Sequence, residues 1–172
     1  MNKLSMILLL TGALGVSACN NPDRFGAGGD GGAGAPGGIT AASLGDPNDP
    51  NSPAYFNQTI GDTVRFAVDQ SILTPESQNV LAGQAQWMNQ HAQYSAVIEG
   101  HADEQGTREY NIALGARRAS AVQEFLIAQG VSPARLRTVS YGKERPLAIC
   151  SDETCYAQNR RAVTVITVGG GV

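Results

Sequence analysis

No apolar run in this sequence is long enough to cross a membrane as a helix. The one candidate, Leu4 to Val16, is broken by Ser5, Thr11 and two glycines. It falls short of the ~30 Å hydrocarbon layer at ~1.5 Å per residue. Blocks of like charge are also absent: twelve basic and fifteen acidic side chains give a net charge of −3. That balance lacks the electrostatic footprint of a nucleic-acid binder, so no nucleic-acid partner is expected. Histidine is scarce at two residues, His91 and His101, in different segments. His101 with Asp103 is an incomplete ligand set, so neither a metal nor a cofactor is expected. No Ser or Cys nucleophile stands near a histidine base. At 172 residues the chain has room for one ordinary domain and a tail, and it shows no internal repeat.

Glycine, by contrast, is abundant and unevenly placed. Many of the 21 glycines crowd Asn21 to Gly38, ahead of the turn-rich "GDPNDPNSP". Such a stretch has little with which to bury a core, so residues 19–57 read as a flexible tether and 58–172 as the folded domain. As a coil, about 38 residues span ~35 Å root-mean-square, and ~130 Å when stretched. Before the tether, Lys3, the short apolar run and Val16-Ser17-Ala18-Cys19 resemble a bacterial lipobox. The resemblance implies that residues 1–18 are a signal peptide. Cys19 then becomes the first residue, with N-acyl and S-diacylglycerol groups. Several acyl chains, at ~0.8 kcal/mol per buried methylene, anchor a protein without a membrane-spanning helix. Among lipoproteins, Asn20 in place of Asp points to the outer membrane. Cys150 and Cys155 remain. An exported compartment is oxidising, so a disulfide closing that short loop is favoured over a metal site or two free thiols, and its expected role is stability rather than binding.

From Gly61 the pattern turns regular. "DTVRFAVD" alternates Val64, Phe66 and Val68, as a strand does. Thr74-Pro75-Glu76 opens a helix to about Gln90. "SAVIEG" is a second strand, and a long helix runs from about Arg108 to Gln129, stopped by Gly130 with Pro133 beyond. "RLRTVSYG" and "RAVTVITV" complete four strands, with the two cysteines in a loop between them. The expectation is an α/β fold (an α+β sandwich) of order β-α-β-α-β-β: a four-stranded mixed sheet with helices packed on one face.

The densest chemistry lies in "EGHADEQGTREYNIALGARRA", Glu99 to Ala119. Asp103 follows a strand, Gly106 sits in the turn, and Thr107 is a fair helix cap. Asn111, Leu114 and Arg118, spaced i, i+3 and i+7, share one helix stripe. An acid, a helix N-terminus that favours anions, and an arginine able to grip a carboxylate together suit a partner bearing both an ammonium and a carboxylate. Arg108, Glu109 and Arg117 read as solvated.

"GHADEQGTREYNIALGARRASAV", "VSYGKERP" and "NRRAV" together resemble the OmpA-like peptidoglycan-binding domain family over roughly Val64 to Val168. With the lipobox and tether, the resemblance is to its lipid-anchored members. It implies a non-catalytic protein that binds the diaminopimelate of peptidoglycan non-covalently. Asp103 and Arg118 would take the ammonium and the carboxylate. Asn111, Leu114, Phe66, Asp69, Gly106 and Thr107 would complete the site, with Asn159 and Arg160 framing it. It further implies a second partner, the Tol-system periplasmic propeller protein, and a role in envelope integrity and outer-membrane constriction at cell division. Ala67, Gln105 and Ala116 depart from common family residues. The alternative is a wall hydrolase using Asp103, Glu104 or His101. Adjacent carboxylates are poorly placed to flank a glycosidic bond at the ~5–10 Å such chemistry needs.

Overall fold

The computed structural model describes residues 44–168. A helical turn, α1 (Pro53–Tyr55), runs into a π-helix, Phe56–Gly61. Then follow β1 (Thr63–Arg65), α2 (Pro75–Gln90), β2 (Tyr94–His101), α3 (Arg108–Ala128), β3 (Leu136–Gly142), α4 (Glu153–Asn159) and β4 (Arg161–Val168). The strands form one sheet in the order β1-β4-β2-β3. β2 and β3 are parallel neighbours, which requires a crossover, and α3 supplies it. β4 inserts between β2 and β1, antiparallel to both. This is the mixed four-stranded α/β arrangement that the alternation of helical and strand patterns predicts.

The two long helices begin where side chains satisfy their free N–H groups. The Thr74 hydroxyl accepts from Ser77 N at 3.2 Å with Pro75 in the first turn. The Thr107 hydroxyl accepts from Tyr110 N at 3.2 Å. Such a cap is worth about 1 kcal/mol. The helices then bury matching stripes: Leu81, Ala85 and Met88 on α2, and Ala119, Val122 and Leu126 on α3. These meet Ala96, Ile98, Ala162 and Ile166 of the sheet. Each large aliphatic side chain so buried contributes about 1.5–3 kcal/mol.

One contact sets how closely α3 lies on β2. A Cβ on Gly100 would stand 1.8 Å from the Gly115 carbonyl oxygen, and one on Gly115 would stand 2.4 Å from Ser140 Oγ. Only hydrogen fits at either position. Ser140 Oγ, in turn, donates to the Ile112 carbonyl at 2.7 Å. The first half of α3 is thereby held against the ends of β2 and β3.

Three expectations need correction. The folded part begins by Leu44, not at 58. Ala54 N donates to Leu44 O at 2.9 Å, Trp87 Nε1 donates to Pro50 O at 2.8 Å, and Phe56 is fully buried. The Asp, Asn and Pro residues that read as tether make successive side-chain-stabilised turns, in which Asp46 accepts from Asn48 N and Asp49 from Asn51 N. Second, β1 stops at Arg65. The Ala67 and Gln70 carbonyls accept from Arg118 instead of pairing in a ladder, and Val68 is exposed. Third, the cysteine loop contains a helix, α4, capped by Asp152, whose carboxylate accepts from Cys155 N at 3.2 Å. The structure joins Cys150 to Cys155, with Cα atoms 5.7 Å apart.

Candidate binding site

β2 delivers its last residues to a loop, Ala102 to Thr107, that turns into α3. Gly106 makes the turn at φ 90°, a conformation that L side chains rarely adopt. Asp103 is buried in this loop at 7% exposure. Its Oδ1 accepts from Gln105 N at 3.2 Å, and its Oδ2 pairs with Arg160 Nη1 at 3.1 Å. Beneath the loop, Asn111 Nδ2 donates to Gln105 O at 2.8 Å. Asn111 Oδ1 is buried without any partner, a costly state for a polar atom unless a ligand or water donates to it.

These groups line a cavity of about 280 Å³. Asp69, Asp103, Gly106, Asn111 and Leu114 of the predicted set face it, joined by Val68, Gln105 and Tyr110. Asp69 has φ 56° and accepts from the Tyr110 hydroxyl. That bond, with burial and the Asp69 charge, raises the Tyr110 pKa above its ordinary value of 10.0. Thr107, the helix cap, does not line the cavity. It leaves the first two N–H groups of α3 without an intrahelical acceptor. The cavity thus offers two carboxylates and an unpaired carbonyl oxygen for a cation, beside a helix N-terminus that favours an anion.

Arg118 and Phe66 sit elsewhere than the sequence predicts. Arg118 is fully buried. Its Nε donates to Gln70 O at 2.8 Å, Nη1 to His101 O at 2.7 Å and Nη2 to Ala67 O at 3.2 Å. Its guanidinium lies 5.2 Å from the Phe66 ring centroid. The fork expected to clasp a ligand carboxylate instead staples the 67–70 turn to the end of β2, behind the cavity. Burial lowers the Arg118 pKa to about 10, against the opposing pull of Asp103, so it stays charged at neutral pH. Phe66, also buried, backs Arg118 rather than lining the cavity.

The hydrolase residues do not converge. Glu104 accepts from Ser151 Oγ at 3.1 Å at the surface. His101 lies on the sheet face away from the helices, 3.7 Å from Glu99 and against Tyr141, with neither ring nitrogen hydrogen-bonded. Burial lowers the His101 pKa, as do Arg161 and Arg145, while Glu99 acts to raise it. Asn159 shapes the neighbouring loop, accepting from Leu147 N at 2.8 Å and Ala148 N at 3.2 Å. Tyr110 escaped the sequence reading because it looks like an ordinary surface position, and Val68 because its alternation with Val64 and Phe66 reads as the continuation of a strand. Only the turn at Asp69 brings them together.

Residues 65–160 match the OmpA family. Over 115 residues the chain is 56% identical to the peptidoglycan-associated lipoprotein of Mesorhizobium japonicum, covering 67% of this chain and 68% of that protein. It is 53% identical over 115 residues to that of Brucella melitensis, with the same coverage. The crystal structure of the peptidoglycan-associated lipoprotein from Burkholderia pseudomallei superposes with a TM-score of 0.63 at 42% identity, covering 70% of this chain and 98% of that one. The C-terminal domain of Helicobacter pylori MotB shares the fold, at TM-score 0.59 and 21% identity, over 63% of this chain and 86% of that one.

Proposed function

The chain belongs to the OmpA family, and we propose that it is a non-catalytic outer-membrane lipoprotein that holds diaminopimelate-containing peptidoglycan without a covalent bond. The observation that carries this reading is the cavity between Asp69, Asp103 and the unpaired Asn111 oxygen, open beside the N-terminus of α3. An amino-acid centre at the end of a stem peptide matches it. Its ammonium meets the two carboxylates and the Asn111 oxygen, and its carboxylate meets the α3 N–H groups. Arg118 supports the site from behind as a buried positive charge.

Cys19, which lies outside the described residues, would carry the lipid. Among the described residues no helix is long and apolar enough to cross a membrane, so the lipid and tether would supply the anchor. Each grip is modest in a partly solvated pocket, and many copies on one sheet of wall add avidity. The Tol-system propeller protein is the second partner in this reading. The exposed Val68, Ile72, Tyr110, Leu147 and Ile149 give it apolar contact area in loops and a helix end around the site.

Sedimentation with purified sacculi tests the proposal. Wild type should co-sediment, and Asp103→Ala should remain soluble while melting as a folded protein. A folded Asp103→Ala variant that sediments like wild type refutes the site. Release of soluble muropeptides by the wild type would instead favour the hydrolase.

A further inference from the structure

The Cys150–Cys155 ring lies beside the binding loop and reaches it twice. Ser151, inside the ring, donates to Glu104 Oε1 at 3.1 Å. Glu153, also inside the ring and in the first turn of α4, pairs with Arg160 through both carboxylate oxygens. Arg160 is shared: its Nη1 also bonds Asp103 Oδ2 at 3.1 Å, and its Nε donates to the Phe66 carbonyl at 3.4 Å. Arg160 is 4% exposed, whereas the Glu153 side chain is 66% exposed.

The sharing has an electrostatic consequence. Asp103, Arg160 and Glu153 together carry one net negative charge. Without Glu153, the Asp103–Arg160 pair is neutral, and the freed guanidinium edge can engage the Asp103 carboxylate bidentately. An ammonium group arriving in the cavity would then have to compete with Arg160. Burial opposes the Arg160 charge, but the Glu153 and Asp103 carboxylates outweigh it and hold the Arg160 pKa above its ordinary value.

We propose that the Cys150–Cys155 disulfide is a positioning element of the binding site. By closing the loop that carries Glu153, it keeps that carboxylate on Arg160 and so keeps Asp103 available to a cationic ligand. A seven-residue helix is too short to hold its own first turn in water, and α4 is of that length. The covalent ring and the Asp152 cap fix Glu153 in its place. The proposal rests on the reading of Asp103 as the ammonium partner.

The experiment is titration calorimetry of the full chain with a soluble muropeptide bearing diaminopimelate. The proteins are wild type, Cys150→Ser/Cys155→Ser, Glu153→Gln, and the triple variant, each checked for folding by thermal melt. Glu153→Gln should weaken binding about fivefold and the serine pair about threefold, the scale of a partly buried ion pair. The triple variant should bind no more weakly than Glu153→Gln alone, because the ring acts through Glu153. Additive losses, or wild-type affinity in a folded Glu153→Gln protein, overturn the proposal. Glu153 is exposed, so that variant carries the test even if the serine pair does not fold. Failure of the wild type to bind at all overturns the site reading and this proposal with it, an outcome distinct from equal binding by all four.

Discussion

Replacing Arg118 by alanine should destabilise the fold as a whole rather than merely loosen its grip on a ligand. The guanidinium is fully buried and donates to three carbonyls, of Ala67, Gln70 and His101. Truncation leaves the buried His101 carbonyl unpaired, at about 1–3 kcal/mol, and removes the part-buried bonds to Ala67 O and Gln70 O, at about 0.5–1.5 kcal/mol each. Water entering the emptied volume returns part of the resulting ~2–6 kcal/mol, so a loss of about 2–4 kcal/mol is expected. Set against a typical domain stability of about 5–15 kcal/mol, this is between roughly an eighth and four fifths of the total. Arg118→Lys keeps the charge but cannot span three acceptors with one ammonium, and should lose about 2 kcal/mol. Urea unfolding followed by circular dichroism measures both. A loss below about 1 kcal/mol for Arg118→Ala would refute the reasoning, since that is the net worth of a single ordinary hydrogen bond. The comparison with Asp103 then separates two roles: Asp103→Ala should lose ligand at little cost to stability, whereas Arg118→Ala should lose stability first.

Gly100→Ala places a methyl 1.8 Å from the Gly115 carbonyl oxygen, a backbone atom that no rotamer change can move. It should destabilise by about 3 kcal/mol or more, lowering the melting temperature by about 10 °C; a melt within about 3 °C of wild type would show that α3 does not rest on β2 this closely. His101 sets a pH dependence. Its pKa in the folded domain lies below the ordinary 6.5 because burial disfavours the imidazolium. The unfolded chain therefore binds the proton more readily, so this contribution to stability is complete above pH 6.5 and is lost as pH falls through that value toward the folded pKa. Unfolding free energies measured between pH 8 and about 5.5 should decline for wild type and flatten in His101→Gln. Parallel profiles would remove His101 from the account.

Much of the fold was legible because its signals are local. Thr74-Pro75 and Thr107 marked two helix starts, since a cap is a contact between neighbours in sequence. The alternation in "SAVIEG" and "RAVTVITV" marked two strands, since burial on a sheet repeats every second residue. The Asn111, Leu114 and Arg118 spacing set the three on one helix stripe, and all three are buried in the structure. The segment 44–57 was not legible, because Asn, Asp and Pro favour turns equally in a tether and in a folded cap. What distinguishes the two is Trp87, 37 residues downstream, whose ring N–H donates to Pro50 O.

The sequence by itself determined the order of the four strands and the two long helices, the acid in the strand-to-helix loop, and the pairing-competent cysteines. Each depends on residues close along the chain. The roles of the arginines were decided only in three dimensions. Arg118 and Arg160 are both cations near Asp103 in the finished fold, and either could have been its partner. The turn at Ala67 to Gln70, about fifty residues before Arg118 in the chain, captures Arg118 with backbone carbonyls. α4 presents Arg160 to Asp103 from 57 residues away. A guanidinium goes where its donors are best satisfied, and that depends on which distant carbonyls and carboxylates the folded chain brings within reach.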